Sequence, residues 1–378
     1  QFPQFRRRLV HVPLSLDRPY WIEDATMDVE YHVRHIALPY PGDWRQLFIQ
    51  VARIHSRALD RTKPLWEAYV IEGLHNVKGV PPGSFALYSK MHHAIVDGES
   101  GTEIMRALLS PSPDSAVAET DALPTRHAAD RAPTSLELYS RAVVHNVQKV
   151  PTLAKLSLNT AKRLASVGAD VVETLREYAE ETQQSVLRVL TGDLGALLPK
   201  MPPETRFTGD VSAHRVVEAV GLPLADFKVI RQHVGEATVN DQFLAIVGGA
   251  VREYLKGKGE LPDESLMAMV PISLRGEDKG GDKGNQVGAT FVAIHSDIED
   301  PVERLRAIRR KATTSKRLTD KLGRELVRDL LDTLPFVVSD ALVSNFKAPK
   351  IGITVSNVRD PDIPLYLAGA RLVNYAPV

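Results

Sequence analysis

The residues best suited to chemistry stand together at His92-His93-Ala94-Ile95-Val96-Asp97-Gly98. Imidazole is the side chain best placed to take a proton near neutral pH. A nearby aspartate can orient such a ring, or hold its loop through an ion pair. Gly98 permits a tight turn before the next element. With this chain's composition, an HHxxxDG string arises by chance about once in a thousand such sequences. The bland alternative is a hydrogen-bonded core histidine followed by a helix-capping aspartate. Other chemistries lack their residues. There is no cysteine, which excludes a thiol nucleophile, Cys-ligated metals and disulfides. Gly98-Glu99-Ser100-Gly101 has the wrong spacing for a GxSxG elbow. No HExxH, GK[ST] or GxGxxG string occurs. Gly280-Gly281-Asp282-Lys283-Gly284 reads as a loop, not a phosphate cradle, because no helix start follows it. No metal or resident cofactor is expected.

These residues need elements to hold them. SFALYSK (84–90) alternates like a strand and runs into the loop at His92, and GTEIMRALL (101–109) reads as the next helix. Upstream, Asp43 caps a helix with Gln46 three residues on, and Leu47, Val51 and Ile54 form its apolar face. Residues 110–135 are rich in Pro, Ser, Ala and Asp without a period and read as a linker; 136–200 read as helical and semi-exposed. Farther on, 214–222 reads as a strand, and 223–235 as a helix closed by Gly235. Asn240 reads as the cap of another helix. Strands follow at 266–274, 286–295, 351–358 and 364–375, and Asp300-Pro301-Val302-Glu303 is a helix start. Strands mixed with helices on both sides of the linker predict two α/β lobes. The expected division is an N-terminal lobe (1–110), a linker and helical insertion (111–205), and a C-terminal lobe (206–378).

Composition narrows the function. The 378 residues carry 47 Lys+Arg and 47 Asp+Glu. No basic excess marks a nucleic-acid binder, so no nucleic acid is expected as partner. The longest clean apolar run, Phe243 to Val251, is far short of a membrane span. The first residues lack a signal-peptide pattern, and no N-x-S/T sequon occurs. The expected setting is the cytoplasm.

KMHHAIVDGESG (90–101) resembles the active-site signature of the bacterial wax ester synthase/diacylglycerol acyltransferases. These belong to the wider HHxxxDG acyltransferases, with chloramphenicol acetyltransferase and peptide-synthetase condensation domains. Further segments resemble the same family in its order. They are Pro64-Leu65-Trp66-Glu67, Val239-Asn240-Asp241, Met269 to Arg275, Gly284-Asn285-Gln286, Ser356-Asn357-Val358 and PLYLAGARL (364–372). The match is weak only over about 110–200. One departure is Arg359-Asp360-Pro361, where the family reads Pro-Gly-Pro. Both ends read as cut, relative to the family's first segment and last strands.

The resemblance implies two chloramphenicol-acetyltransferase-like lobes with the active site in a tunnel at their interface. It implies an O-acyltransferase that moves a long acyl chain from acyl-CoA, a co-substrate, to a fatty alcohol or diacylglycerol, without a covalent acyl-enzyme. His93 is then the general base, and His92 an orienting partner. Asp97, followed by Gly98, pairs with a cation, for which Arg275 is the candidate. Asn240, Asn285 and Gln286 could supply polar donors near the oxyanion, with Asp241 in support. Pro64, Leu65 and Trp66, with Ser356 and Asn357, would border the substrate. Gly369 and Ala370 would be small to let a lipid chain pass. The alternatives are a condensation-type enzyme using another thioester, or a lipid-binding relative without turnover. Water-insoluble acceptors imply contact with a membrane or lipid-droplet surface, with the basic, apolar stretch 145–167 as the candidate region. The alternative is that this stretch packs against a lobe, since Pro151 breaks its period and acidic residues return at Asp170 and Glu173.

Overall fold

The computed structural model describes residues 2–95, 104–105, 107–114, 131–148, 203–235, 237–273, 287–310, 352–358 and 363–376. Strands β1 (Arg7–Val10) and β2 (Tyr20–Glu23) form an antiparallel pair. A short helix, α1 (Val29–His32), leads into β3 (Val33–Ala37), which pairs in parallel with β4 (Trp66–Glu72). Parallel neighbours need a crossover, and α2 (Trp44–His55) lies within it. Asp43 accepts from the Gln46 amide at 2.9 Å, and the Gln46 side chain accepts from the Gly42 amide at 2.7 Å. That reciprocal arrangement sets the helix start, as the sequence predicts. Leu47, Val51 and Ile54 then pack on Tyr69, Ile71 and Tyr88. Each fully buried aliphatic chain contributes about 1.5–3 kcal/mol. Strand β5 (Ala86–Met91) adds antiparallel to β4, with Glu67 opposite Lys90 and Trp66 opposite Met91.

Helix α3 (135–148) buries Leu138 and Ala142 against Val12. Helix α4 (Leu224–Val234) closes on Gly235 at φ 68, as expected from the sequence. Helix α5 (Val239–Lys256) is capped by Thr238, not Asn240. Asp241 supplies the reciprocal acid, accepting from the Thr238 amide at 2.9 Å and its hydroxyl at 2.7 Å. The box needs its acid three residues after the cap, and from Asp241 that points back to Thr238. Strands β6 (Met267–Ser273) and β7 (Val287–Ala293) pair antiparallel, and Thr354 bridges to Met269. Asp300 accepts from the amides of Val302 and Glu303 and starts α6 (301–310).

The core here is aliphatic: Leu244, Leu255, Leu266, Val270, Ile294, Leu305, Ile308 and Val355. Gly248 lets α5 reach it, since a Cβ there would stand 2.1 Å from the Ile294 carbonyl oxygen. Last, β8 (Tyr366–Leu367) and β9 (Ala370–Arg371) form a hairpin. Ala368 and Gly369 turn it at φ 48 and 83, the left-handed pair that a two-residue turn requires.

Residues 214–222 are not a strand in the structure. Val216 and Val220 are 93% and 81% exposed. Branched residues favour strands only where a neighbouring strand takes up the ladder, and none among the described residues pairs with them.

Candidate active site

Strand β5 ends at Met91 and delivers both histidines at once. The His92 amide donates to the Leu65 carbonyl at 3.0 Å, which ties the loop to the start of β4. The Ile95 amide donates back to the His92 carbonyl at 3.0 Å, and Ile95 is buried. The chain therefore turns tightly at 92–95. His92 Nδ1 accepts from the Ala94 amide at 3.0 Å. That bond leaves the ring proton on Nε2. Burial, then the charges of Arg61 and His93, hold the His92 imidazole below its ordinary pKa. It is a neutral ring locked to its own loop. His92 and His93 are both exposed, and His93 follows on the next position.

Both histidines open onto a groove of about 1060 Å³. Its walls come from four separated stretches: the α2–β4 loop, β5 with the loop before it, the residues 104–105 and 108–109, and the β8–β9 hairpin with the chain after it. Tyr366 and Ser110 exchange both backbone hydrogen bonds at 2.8 Å each, which seats the hairpin beside residues 108–109. Phe85, Leu87, Met105 and Leu108 give the groove an apolar surface.

Beneath β5 lies a polar layer. His55 Nδ1 is 2.8 Å from the Tyr88 hydroxyl. Burial, then Tyr69 and Glu67, push the Tyr88 phenol up to about 12. Burial, then Lys90 and Arg215, hold His55 low. Tyr88 is thus the donor and neutral His55 the acceptor. Lys90 donates to the carbonyls of Ile54 and Arg57 at the C-terminal end of α2. Burial lowers its pKa, and the charges of Glu67 and Arg57 act on it in opposite directions. Buried Glu67 accepts from Tyr69 at 2.7 Å, and Arg34 donates to the Tyr69 hydroxyl at 2.8 Å.

The sequence-predicted residues divide by place. His92, His93 and Ala370 line the groove. Gly369 sits in the hairpin turn, where its positive φ explains its small size. Pro64 and Leu65 are buried at the head of β4. Trp66 turns to the N-terminal segment, stacking on His32 at 4.6 Å and donating to the Phe5 carbonyl at 2.9 Å. Half-buried Asn240 is in the first turn of α5, and Asp241 serves its cap. Ser356 and Asn357 are exposed beyond the Thr354 bridge. Asp97, Gly98, Arg275, Asn285, Gln286 and the Arg359–Pro361 departure lie outside the described residues, as does 149–200.

Sequence reasoning did not single out the groove's cations, Arg57, Arg61, Lys90 and Arg371. A signal existed for two of them, since Arg53, Arg57 and Arg61 recur every fourth residue from the last turn of α2 into the loop after it. The His55–Tyr88 pair joins residues far apart in sequence and leaves no local trace.

Residues 1–243 match the wax ester synthase/diacylglycerol acyltransferase catalytic domain, and residues 283–378 match the WS/DGAT C-terminal domain. The chain belongs to the WS/DGAT family. It is similar to the probable diacylglycerol O-acyltransferase tgs2 of Mycobacterium tuberculosis, with 33% identity over 387 residues, 100% of this chain and 76% of that protein. Another M. tuberculosis protein, provisionally named a diacylglycerol O-acyltransferase, is 34% identical over 381 residues, 100% of this chain and 77% of that protein. The fold is similar to that of the wax ester synthase/diacylglycerol acyltransferase from Marinobacter aquaeolei VT8. The TM-score is 0.60 at 25% identity, over 97% of this chain and 72% of that one. This WS/DGAT chain is therefore a mixed α/β acyltransferase. Among the described residues no helix is long and apolar enough to cross a membrane.

Proposed function

We propose that this chain transfers a long acyl group from acyl-CoA to the hydroxyl of a fatty alcohol or diacylglycerol. The observation that carries the reading is His93, exposed beside a locked His92 on an apolar groove. His93 takes the proton of the acceptor hydroxyl. The oxygen attacks the thioester carbonyl carbon, and the tetrahedral oxyanion collapses with cleavage of the C–S bond. The thiolate of CoA leaves and recovers the proton from His93. His92 acts by shaping the loop, and Asp97 by pairing with Arg275. Asn285 and Gln286 are donors to the oxyanion. The apolar surface along Phe85, Leu87 and Leu108 accommodates an aliphatic chain. The enzyme works in the cytoplasm against a membrane or lipid-droplet surface, where its acceptors are dissolved.

The test is thiol release from a long-chain acyl-CoA with hexadecanol or a diacylglycerol, with product ester identified by mass. A positioned base contributes about 10²–10⁴-fold. The variant His93→Ala should therefore lose at least about a hundredfold in kcat with an unchanged melting temperature. A folded His93→Ala protein that keeps most of its turnover refutes the assignment. Absence of ester with both acceptors refutes the reaction.

A further inference from the structure

Across the whole chain the basic and acidic residues balance at 47 each. The described residues lining the groove do not follow that balance. Four are Arg or Lys and none is Asp or Glu. The ammonium of Lys90 is committed to the end of α2. Arg57, Arg61 and Arg371 are exposed, and no ion pair or side-chain hydrogen bond among the described residues engages their guanidinium groups.

Some arginines elsewhere are spent on fixed partners. Arg206 grips Glu260 with both arms of its fork, Arg131 pairs with Glu137, and Arg304 is enclosed by carbonyls. Like charges gathered on a concave wall repel one another, and they focus a positive potential on whatever enters. Their reach includes the histidine loop, because the Arg61 charge acts on the His92 ring. A guanidinium with its fork unoccupied matches a phosphate, which it can grip by two parallel hydrogen bonds.

We propose that Arg57 and Arg61, with Arg371 from the β8–β9 hairpin, bind the phosphate groups of the thioester's CoA carrier. The groove then selects a polyanionic thioester over an uncharged one with the same acyl chain. This rests on the acyl-CoA reading above and adds to it the residues that recognise the carrier. Arg57 and Arg61 precede β4 while His93 follows β5. The phosphates are thus held by the α2–β4 loop and the hairpin, and the reacting carbon is met by the histidine loop.

The decisive measurement is a ratio. For the full chain, kcat/KM is determined for palmitoyl-CoA and for palmitoyl-pantetheine, which keeps the thioester and lacks the phosphates. Each protein is assayed with both substrates from one preparation, so a partly misfolded variant cancels out. Reversing both charges in Arg57→Glu/Arg61→Glu should lower the ratio about tenfold, mainly through KM for the CoA ester. Added salt should lower the wild-type ratio and leave that of the double variant nearly flat. The pair Arg57→Lys/Arg61→Lys should keep much of the preference. An unchanged ratio in the reversed variant overturns the proposal. If the wild type turns over neither thioester, the acyltransferase reading fails separately. Calorimetric titration with CoA itself then decides: weaker binding to the reversed variant supports the arginines' role, and equal binding refutes it.

Discussion

Behind the histidine strand the protein buries a network of charged and titratable side chains, whereas under β6 and β7 it buries mainly hydrocarbon. The N-terminal sheet holds Glu67 at 8% exposure, linked to Tyr69 and Arg34 and standing opposite Lys90, with His55 and Tyr88 alongside. The core around α5 is built mainly from Leu, Ile and Val, and the two charges buried beside it are spent on backbone: Asp241 serves a helix start and Arg304 donates to carbonyls. A buried charge costs stability unless every partner is in place. An aliphatic core carries no such condition. The polar layer is found where a groove must hold cations and keep its tyrosine protonated and its histidine neutral. The aliphatic core is found where only support is required.

That contrast can be broken from either side. Leu244 is 1% exposed in the C-terminal core. Leu244→Ala should cost about 2–5 kcal/mol of stability in denaturant titration. Its kcat/KM per folded molecule should stay at the wild-type value, because the side chain sits in the core and is not among the described residues lining the groove. Glu67→Gln should cost less, about 1–3 kcal/mol. It should also change catalysis, because it alters the charge facing Lys90 and the acceptor for Tyr69. If Leu244→Ala changed kcat/KM and Glu67→Gln did not, the division of labour would be reversed.

Smaller effects separate the cap from its neighbour. Thr238→Ala should lose about 1 kcal/mol, the usual worth of an N-cap. Asn240→Ala should stay within about 0.5 kcal/mol, because its half-buried side chain makes no hydrogen bond among the described residues. Equal losses from the two would contradict the observed cap.

How far the sequence could be read follows from how local each signal is. Asp43 with Gln46, Asp300 with the amides after it, and Gly235 at the end of α4 are short-range chemistry, and all were legible. The helix at 239 was legible, but its cap was displaced by two residues, because Asn240 suits a cap on its own and only the reciprocal bond to Asp241 favours Thr238. Residues 214–222 misled because alternation in Val216, Val217 and Val220 says nothing about whether a neighbouring strand exists. Of the site, the paired histidines were plain from their string. The arginines were not, since α2's end, β5 and the final hairpin must fold before Arg57, Arg61 and Arg371 line one groove. Trp66 stands in a segment read as bordering substrate, yet the structure gives it the Phe5 and His32 side of β4.

The smallest expected effect concerns α3 and the residue that holds it. Asp17, 2% exposed, accepts from the Arg18 amide at 2.8 Å, the Tyr20 hydroxyl at 2.7 Å and His145 Nδ1 at 2.7 Å. Burial pushes the Asp17 carboxyl up. The hydrogen bonds from Tyr20, His145 and the Arg18 amide outweigh it, and the carboxyl titrates below its ordinary value. Tyr20 is pushed up to about 12 by burial, then by Asp17, and the nearby Arg141 charge opposes this. Tyr20 therefore stays a donor across the physiological range. A carboxylate with a folded pKa below its unfolded one stabilises the folded state once ionised. That stability is present above about pH 4, the ordinary aspartate value, and is lost as pH falls through the lower folded value. Only one helix depends on this contact, so the loss should be local. Hydrogen exchange, corrected for intrinsic rates, should show α3 amides losing protection on acidification before those of β6 and β7. In Asp17→Asn the acid-dependent part of that loss should vanish, because the amide does not titrate. If α3 and the β6–β7 pair lose protection together at every pH, or if Asp17→Asn leaves the acid limb unchanged, the carboxylate is not what docks the helix.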